Sequence, residues 1–159
     1  GSNSQNISKE EIYEATKIAD IHDTITNFDK GYDTILGERG VNLSGGQKQR
    51  LSIARALLRK PDLLVLDDCL SAVDTETESI ILERLKAYNK EQTTLIVSHR
   101  ISTIRNAQNI IVINEGEIIE KGTHKELISQ KGFYEQMYQQ QLHEEQSDQN
   151  NQEPEDFSS

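Results

Sequence analysis

No stretch of this chain approaches the ~18 consecutive apolar residues that a membrane-spanning helix needs, and no signal peptide is visible. The polypeptide itself is therefore expected to be soluble. It has a single cysteine, Cys69, which excludes an internal disulfide and agrees with a reducing compartment without establishing one. Basic residues are scarce beside acidic ones, 17 against 27, and the net charge of −10 argues against nucleic acid as a general partner. Much of that excess is local: Glu144, Glu145, Asp148, Glu153, Glu155 and Asp156 share one stretch with no basic residue. Also missing is the phosphate-cradling pattern Gly-x-x-x-x-Gly-Lys-Ser/Thr, whose lysine reaches the β- and γ-phosphates and whose hydroxyl holds Mg²⁺. The nearest spacing is Gly40 to Gly45, and Gly46-Gln47 stand where that lysine and hydroxyl should be.

What is present centres on Leu43-Ser44-Gly45-Gly46-Gln47. Ser44 lies three residues before Gln47 and just ahead of a helical pattern, so the pair fits a capping box. Two glycines nevertheless fill the first turn, where each costs roughly 1 kcal/mol against alanine. Their bare backbone admits close approach, and N–H groups at the positive end of a helix bind anions, phosphate above all. On these five residues alone, an ordinary capped helix and a phosphate-binding helix end fit equally well.

The flanking residues decide between them. From Gly37 the chain reads Gly37-Glu38-Arg39-Gly40-Val41-Asn42-Leu43-Ser44-Gly45-Gly46-Gln47-Lys48-Gln49-Arg50-Leu51-Ser52-Ile53-Ala54-Arg55-Ala56-Leu57-Leu58. This closely resembles the signature region of ATP-binding cassette (ABC) transporter nucleotide-binding domains, and the 37–40 stretch resembles the extra loop of the exporter type. The resemblance continues to about residue 140.

In chain order, Gly1-Ser2 reads as a cloning remnant and residues 1–6 as a loose N-terminus. Ser8 and Glu11 make another capping box, and Ile12, Ala15, Ile18 and Ala19 recur at helical spacing, which predicts a helix over 7–21. The helix after Ser44 is expected to run to about Arg59, because Pro61 cannot continue it and biases Lys60 away from helical geometry. The apolar run Leu63-Leu64-Val65-Leu66 ends in Asp67-Asp68 and reads as a strand buried on both faces of a parallel sheet, with its carboxylates where α/β folds place ligands. It resembles the Walker B strand of the same family, and a paired acid there can hold Mg²⁺ and handle a proton. Ser71-Ala72-Val73-Asp74 resembles the family's D-loop, and Asp74 or Thr75 caps a helix in which Ile81, Leu85 and Tyr88 share a face. A second strand over 93–97 ends at Ser98-His99-Arg100. A lone histidine is more often structural than functional; this one matches the family's switch histidine, a donor whose tautomer can be tuned. Residues 109–113 and 117–121 flank Asn114-Glu115-Gly116 as a β-hairpin at the edge of the sheet. Thr123 and Glu126 cap a helix carrying Leu127 and Ile128, and Phe133, Met137 and Tyr138 are expected to pack onto the body. Residues 143–159 have almost nothing to bury and read as an acidic disordered tail.

The resemblance implies an α/β fold, a partial P-loop NTPase (RecA-like) with a mostly parallel sheet and part of the ABC helical subdomain. The helical part is expected over 7–60, and Walker B to the C-terminal helix over 61–142. In the family each ATP lies between the Walker elements of one subunit and the signature of the other. Carried over, Leu43, Ser44, Gly45, Gly46, Gln47 and Asp74 would bind ATP, Asp67 would hold Mg²⁺, and Asp68 and His99 would be catalytic. The implied partners are a second nucleotide-binding domain and the transmembrane domain of the same transporter, at the cytoplasmic face of the membrane. One departure bears on the chemistry: the family's catalytic glutamate follows the Walker B aspartate, and Asp68 stands there. That resembles heterodimeric exporters with one weakened site. The family's P-loop precedes the residues present here, so this chain alone is expected to be inactive. Two other classes share these motifs: a soluble ABC-type ATPase of DNA repair or chromosome maintenance, and a regulatory module that clamps ATP without hydrolysing it.

Overall fold

A computed structural model of the chain describes residues 7–37, 41–88 and 92–150. The loose N-terminus expected over 1–6, most of the 37–40 loop and the end of the acidic tail lie outside them. The described residues up to Val97 form one compact unit and those from Ser98 a second.

The first unit begins with α1 (Lys9–Ile18), started by the reciprocal capping box of Ser8 and Glu11. It ends sooner than its apolar spacing suggested, because Asp20 takes a left-handed backbone (φ 54°) and the chain restarts as the short α2 (His22–Thr26). A run of hydrogen bonds joins these pieces: Thr16 Oγ1 lies 2.6 Å from Tyr32 Oη, and Tyr32 Oη lies 2.7 Å from His22 Nδ1.

Helix α3 (Gly45–Leu57) follows Ser44 as expected, and it stops where Lys60 turns left-handed (φ 47°) ahead of Pro61. Arg50 of α3 and Arg84 of α4 (Thr75–Tyr88) both reach Asp20, Arg84 at 2.8 Å and Arg50 at 3.2 Å. They also donate to the Asp20 and Lys17 carbonyls, so two cations finish the C-terminal end of α1. Strands β1 (Leu63–Asp67) and β2 (Thr93–Val97) pair in parallel, Leu63 opposite Thr93 and Asp67 opposite Val97. Leu64 and Leu66 join Ile53, Leu57, Ile81 and other buried side chains in one core. The expectation that β1 is buried on both faces is corrected: its exposure alternates, and Leu63 (53%) and Val65 (52%) lie open beside Leu95 and Val97. The two-stranded sheet has one covered face, so every second apolar side chain stays in solvent.

The second unit runs through the single turn α5 (Ile101–Ile104), the antiparallel hairpin β3 (Ile110–Asn114) and β4 (Glu117–Gly122), α6 (His124–Gln130) and α7 (Phe133–Asn150). The hairpin turns at Glu115-Gly116 with positive φ at both, but it forms a sheet of its own and does not extend the parallel pair. Its core holds Ile101, Ile110, Leu127 and Tyr134, with Met137 and Tyr138 against it. Phe133, expected inside, is 41% exposed, and Tyr134 is buried in its place. Burial suits Tyr134 because its hydroxyl meets His124 Nδ1 at 2.8 Å, and the apolar surroundings push that hydroxyl up to about 12. The last helix also outruns its expected end at Leu142, since the first eight residues assigned to a disordered tail continue it.

Candidate functional site

The N-terminal end of α3 is built by its own sequence. Ser44 Oγ accepts from Gln47 N at 3.3 Å, and Ser44 N donates to Gln47 Oε1 at 2.9 Å. Lys48 N donates to Ser44 O. These bonds satisfy the third and fourth amides of the helix and leave the N–H groups of Gly45 and Gly46 directed out of its end. No acidic residue stands in this first turn to oppose an anion, and Ser44 and Gly45 are exposed. Leu43 is half-buried behind them.

The glycines have a second reason to be glycine. A Cβ on Gly46 would stand 2.7 Å from the carbonyl oxygen of Ala72, and one on Gly45 would stand 3.4 Å from Ala72 Cβ. The backbone that comes close to Gly46 in this chain is thus the loop 68–74. That loop leaves β1 at Asp68, which is left-handed (φ 45°), a conformation aspartate accepts more readily than most side chains. Asp68 N donates to Val97 O at 3.0 Å, joining the ends of the two parallel strands. Leu70 and Val73 are buried, and Asp74 Oδ1 accepts from Thr77 N at 2.9 Å to cap α4. The Thr77 backbone N–H and hydroxyl hold the Asp74 carboxyl below the usual carboxylate range. Its carboxylate is engaged as a helix cap.

Asp67 and Asp68 are both exposed at the C-terminal end of β1. Among the described residues no three His, Cys, Asp or Glu side chains cluster as a metal cage. This donor set fits Mg²⁺, which is commonly held by one or two carboxylates together with substrate phosphates and water. Cys69 beside them is half-buried, and burial pushes its thiol up. His99 is exposed and belongs to the second unit. Gln141 of α7 holds it from behind, donating Nε2 to His99 O at 2.7 Å while Oε1 accepts from Ile101 N at 2.9 Å.

The first unit therefore brings together Ser44, Gly45, Gly46, Gln47 and the loop from Asp68 to Asp74. A groove of that unit, about 800 Å³, lies elsewhere; Tyr13, Lys17, Asp20, His22, Arg50 and Arg84 line it. Sequence reasoning missed Gln49 and Gln141, whose amides reach loops 22 and 42 positions away. No local pattern signals such partners.

Residues 2–71 match the family model described as ABC transporter. Putative multidrug export ATP-binding/permease proteins from two strains of Staphylococcus aureus are 58% and 57% identical to the chain over 129 residues, 81% of its length. The chain spans 22% of the length of these relatives. Among solved structures, a bacterial Atm1-family ABC exporter with ATP bound is 42% identical with a TM-score of 0.81, over 86% of this chain and 24% of that one.

Proposed function

Because this chain belongs to the ABC transporter family, we propose that it is the C-terminal part of a nucleotide-binding domain whose whole protein couples ATP hydrolysis to export across a membrane. The observation that carries the reading is the exposed end of α3, bare at Gly45 and Gly46 and held against the loop that starts at Asp68. In this reading the N–H groups of Gly45 and Gly46 and the Ser44 hydroxyl close on the γ-phosphate of ATP held by a second nucleotide-binding domain, where they stabilise charge. Asp67, Asp68 and His99 serve the nucleotide of their own subunit: Asp67 holds Mg²⁺, Asp68 accepts the proton of the attacking water, and His99 donates to the γ-phosphate. Mg²⁺, when bound, neutralises charge on the β- and γ-oxygens.

Asp68 is one methylene shorter than glutamate, so it reaches the water less well, and a misplaced base forfeits part of a ~10²–10⁴-fold contribution. The reading therefore includes a heterodimer in which this subunit's own site is weak and the partner's site, completed by Ser44–Gln47, carries most turnover. The whole protein would sit at the cytoplasmic face of a membrane and take its spanning segments from residues other than these. Among the described residues no helix is long and apolar enough to cross one. A module that clamps ATP without hydrolysing it is the second reading, and the short Asp68 favours it. The likeness to exporters weighs against a soluble ATPase of DNA repair or chromosome maintenance.

The test belongs in the full-length protein with its partner subunit. Asp68→Glu is expected to raise total hydrolysis, and Ser44→Arg to remove most of it although the local Walker residues are intact. Equal losses from Asp68→Asn and Ser44→Arg would mean that both sites work and that Asp68 is a competent base.

A further inference from the structure

Gln49 lies on α3 one half-turn beyond the capping box, half-buried, and every polar atom of its amide is used on the loop 68–74. Its Oε1 accepts from Ala72 N at 2.9 Å, and its Nε2 donates to Ser71 Oγ at 3.0 Å. Ser71 Oγ passes its own hydrogen to Asp68 O at 2.9 Å. The donor count is consistent only in this orientation, because a flipped amide would set NH₂ against the Ala72 N–H. One peptide further along the loop, the Ala72 carbonyl lies against Gly46 so closely that a Cβ would meet it at 2.7 Å. The loop is thus held at two successive peptide groups, one on each side of the Ala72 Cα, by a side chain and by a bare backbone of the same helix.

From this geometry we infer that Gln49 is a positioning residue, which fixes the loop 68–74 to the N-terminal end of α3 so that Ser44–Gln47 and the backbone of Asp68 move as one body. The inference rests on the nucleotide reading for its consequence, and on the hydrogen bonds alone for its existence. Gln49 touches no reacting atom; it acts through Ser71 and Ala72. A displacement at the helix end is carried to the carboxylate that follows β1, and a 1 Å misplacement of such a group can lower turnover about 10²-fold.

Hydrogen exchange on the 159-residue chain tests the clamp without any need for activity. In Gln49→Ala the Ala72 amide is expected to exchange about tenfold faster, the scale of one lost hydrogen bond. The core amides of Leu57 and Leu66 serve as the control for general loosening. Gln49→Glu keeps an acceptor for Ala72 N but loses the donor to Ser71, so it should restore Ala72 protection. An Ala72 amide that exchanges at the same rate in Gln49→Ala as in the natural chain overturns the clamp, as does equal acceleration at Ala72, Leu57 and Leu66 in both variants. In the full-length protein with its partner, Gln49→Ala should lower kcat about tenfold, within the reach of a positioning effect, and leave KM for Mg-ATP nearly unchanged. An unchanged kcat overturns the catalytic consequence. A natural protein without ATPase activity would count against the nucleotide reading alone, with the exchange result still deciding the clamp.

Discussion

Each unit of the molecule fixes a loop beyond a strand with one glutamine amide, and the two do so over different distances. In the first, Gln49 and Gly46 of α3 hold Ser71 and Ala72, while Asp20 gathers Arg50 from α3 and Arg84 from α4. In the second, Gln141 of α7 holds His99 and Ile101, but most other ties are local. Thr123 and Glu126 cap α6 between themselves, and Glu120 accepts the N–H groups of Phe133 and Tyr134 at 2.9 and 2.7 Å to start α7. The contrast teaches that the first unit has its helix end and its acidic loop placed by contacts distant in sequence. It also leaves one face of a parallel strand pair open, with Leu95 51% exposed. Non-local assembly of that kind gains its stability late and loses it together.

The strongest way to break this comparison is to empty each core. Leu57 and Leu127 are both fully buried. Leu57→Ala should destabilise the first unit by about 2–5 kcal/mol and accelerate exchange at β1 and β2 together, whereas Leu127→Ala should act at α6, α7 and the hairpin. If Leu127→Ala opened β1 as much as β3, the division would be wrong.

Smaller changes sharpen it at the glycines. Gly46→Ala places a methyl against the backbone of Ala72, which cannot yield without moving the loop, and about 1–3 kcal/mol of overpacking is expected in a melt. Gly132→Ala meets only the Glu120 carboxylate, the far end of a side chain. Swinging that group away sacrifices the cap of α7, worth about 1 kcal/mol. A larger loss from Gly132→Ala than from Gly46→Ala would remove the argument that the loop is packed on bare backbone.

The smallest expected effect is with acid. Glu11 is held below the usual carboxylate range by Lys60 and by the Ser8 N–H, Asp74 by Thr77, and Glu126 by the backbone N–H and hydroxyl of Thr123. Because their folded values lie below the unfolded ones, the stability they add is present above about pH 4 and is lost as pH falls through the depressed values. Two of the three belong to the first unit. A pH series of exchange or melting should be flat between 5 and 7 and then fall, and Asp74→Asn should flatten the fall; a decline already complete at pH 6 would implicate other groups.

The capping boxes at Ser8, Ser44 and Thr123, the strand 63–67 and the hairpin turn were legible because their causes lie within three or four residues. The site's helix end was legible for the same reason. The parts that were not legible depend on neighbours far away in the chain. Gly46 reads as a door for a ligand, and only the approach of Ala72 shows that its own chain already uses the space. Tyr134 displaced Phe133 from the core because His124 supplied a partner for its hydroxyl. The one-sided exposure of β1 follows from which faces are covered, and an unbroken apolar run cannot encode that.

The central claim is that this chain contributes a phosphate-facing helix end and acidic residues, but no complete nucleotide site, since no sequence in it can cradle the phosphates as Gly-x-x-x-x-Gly-Lys-Ser/Thr does. Titration calorimetry of Mg-ATP into the 159-residue chain tests it most directly. The account predicts no binding tighter than about millimolar, roughly −4 kcal/mol, and no turnover. Micromolar affinity, with or without hydrolysis, would contradict it.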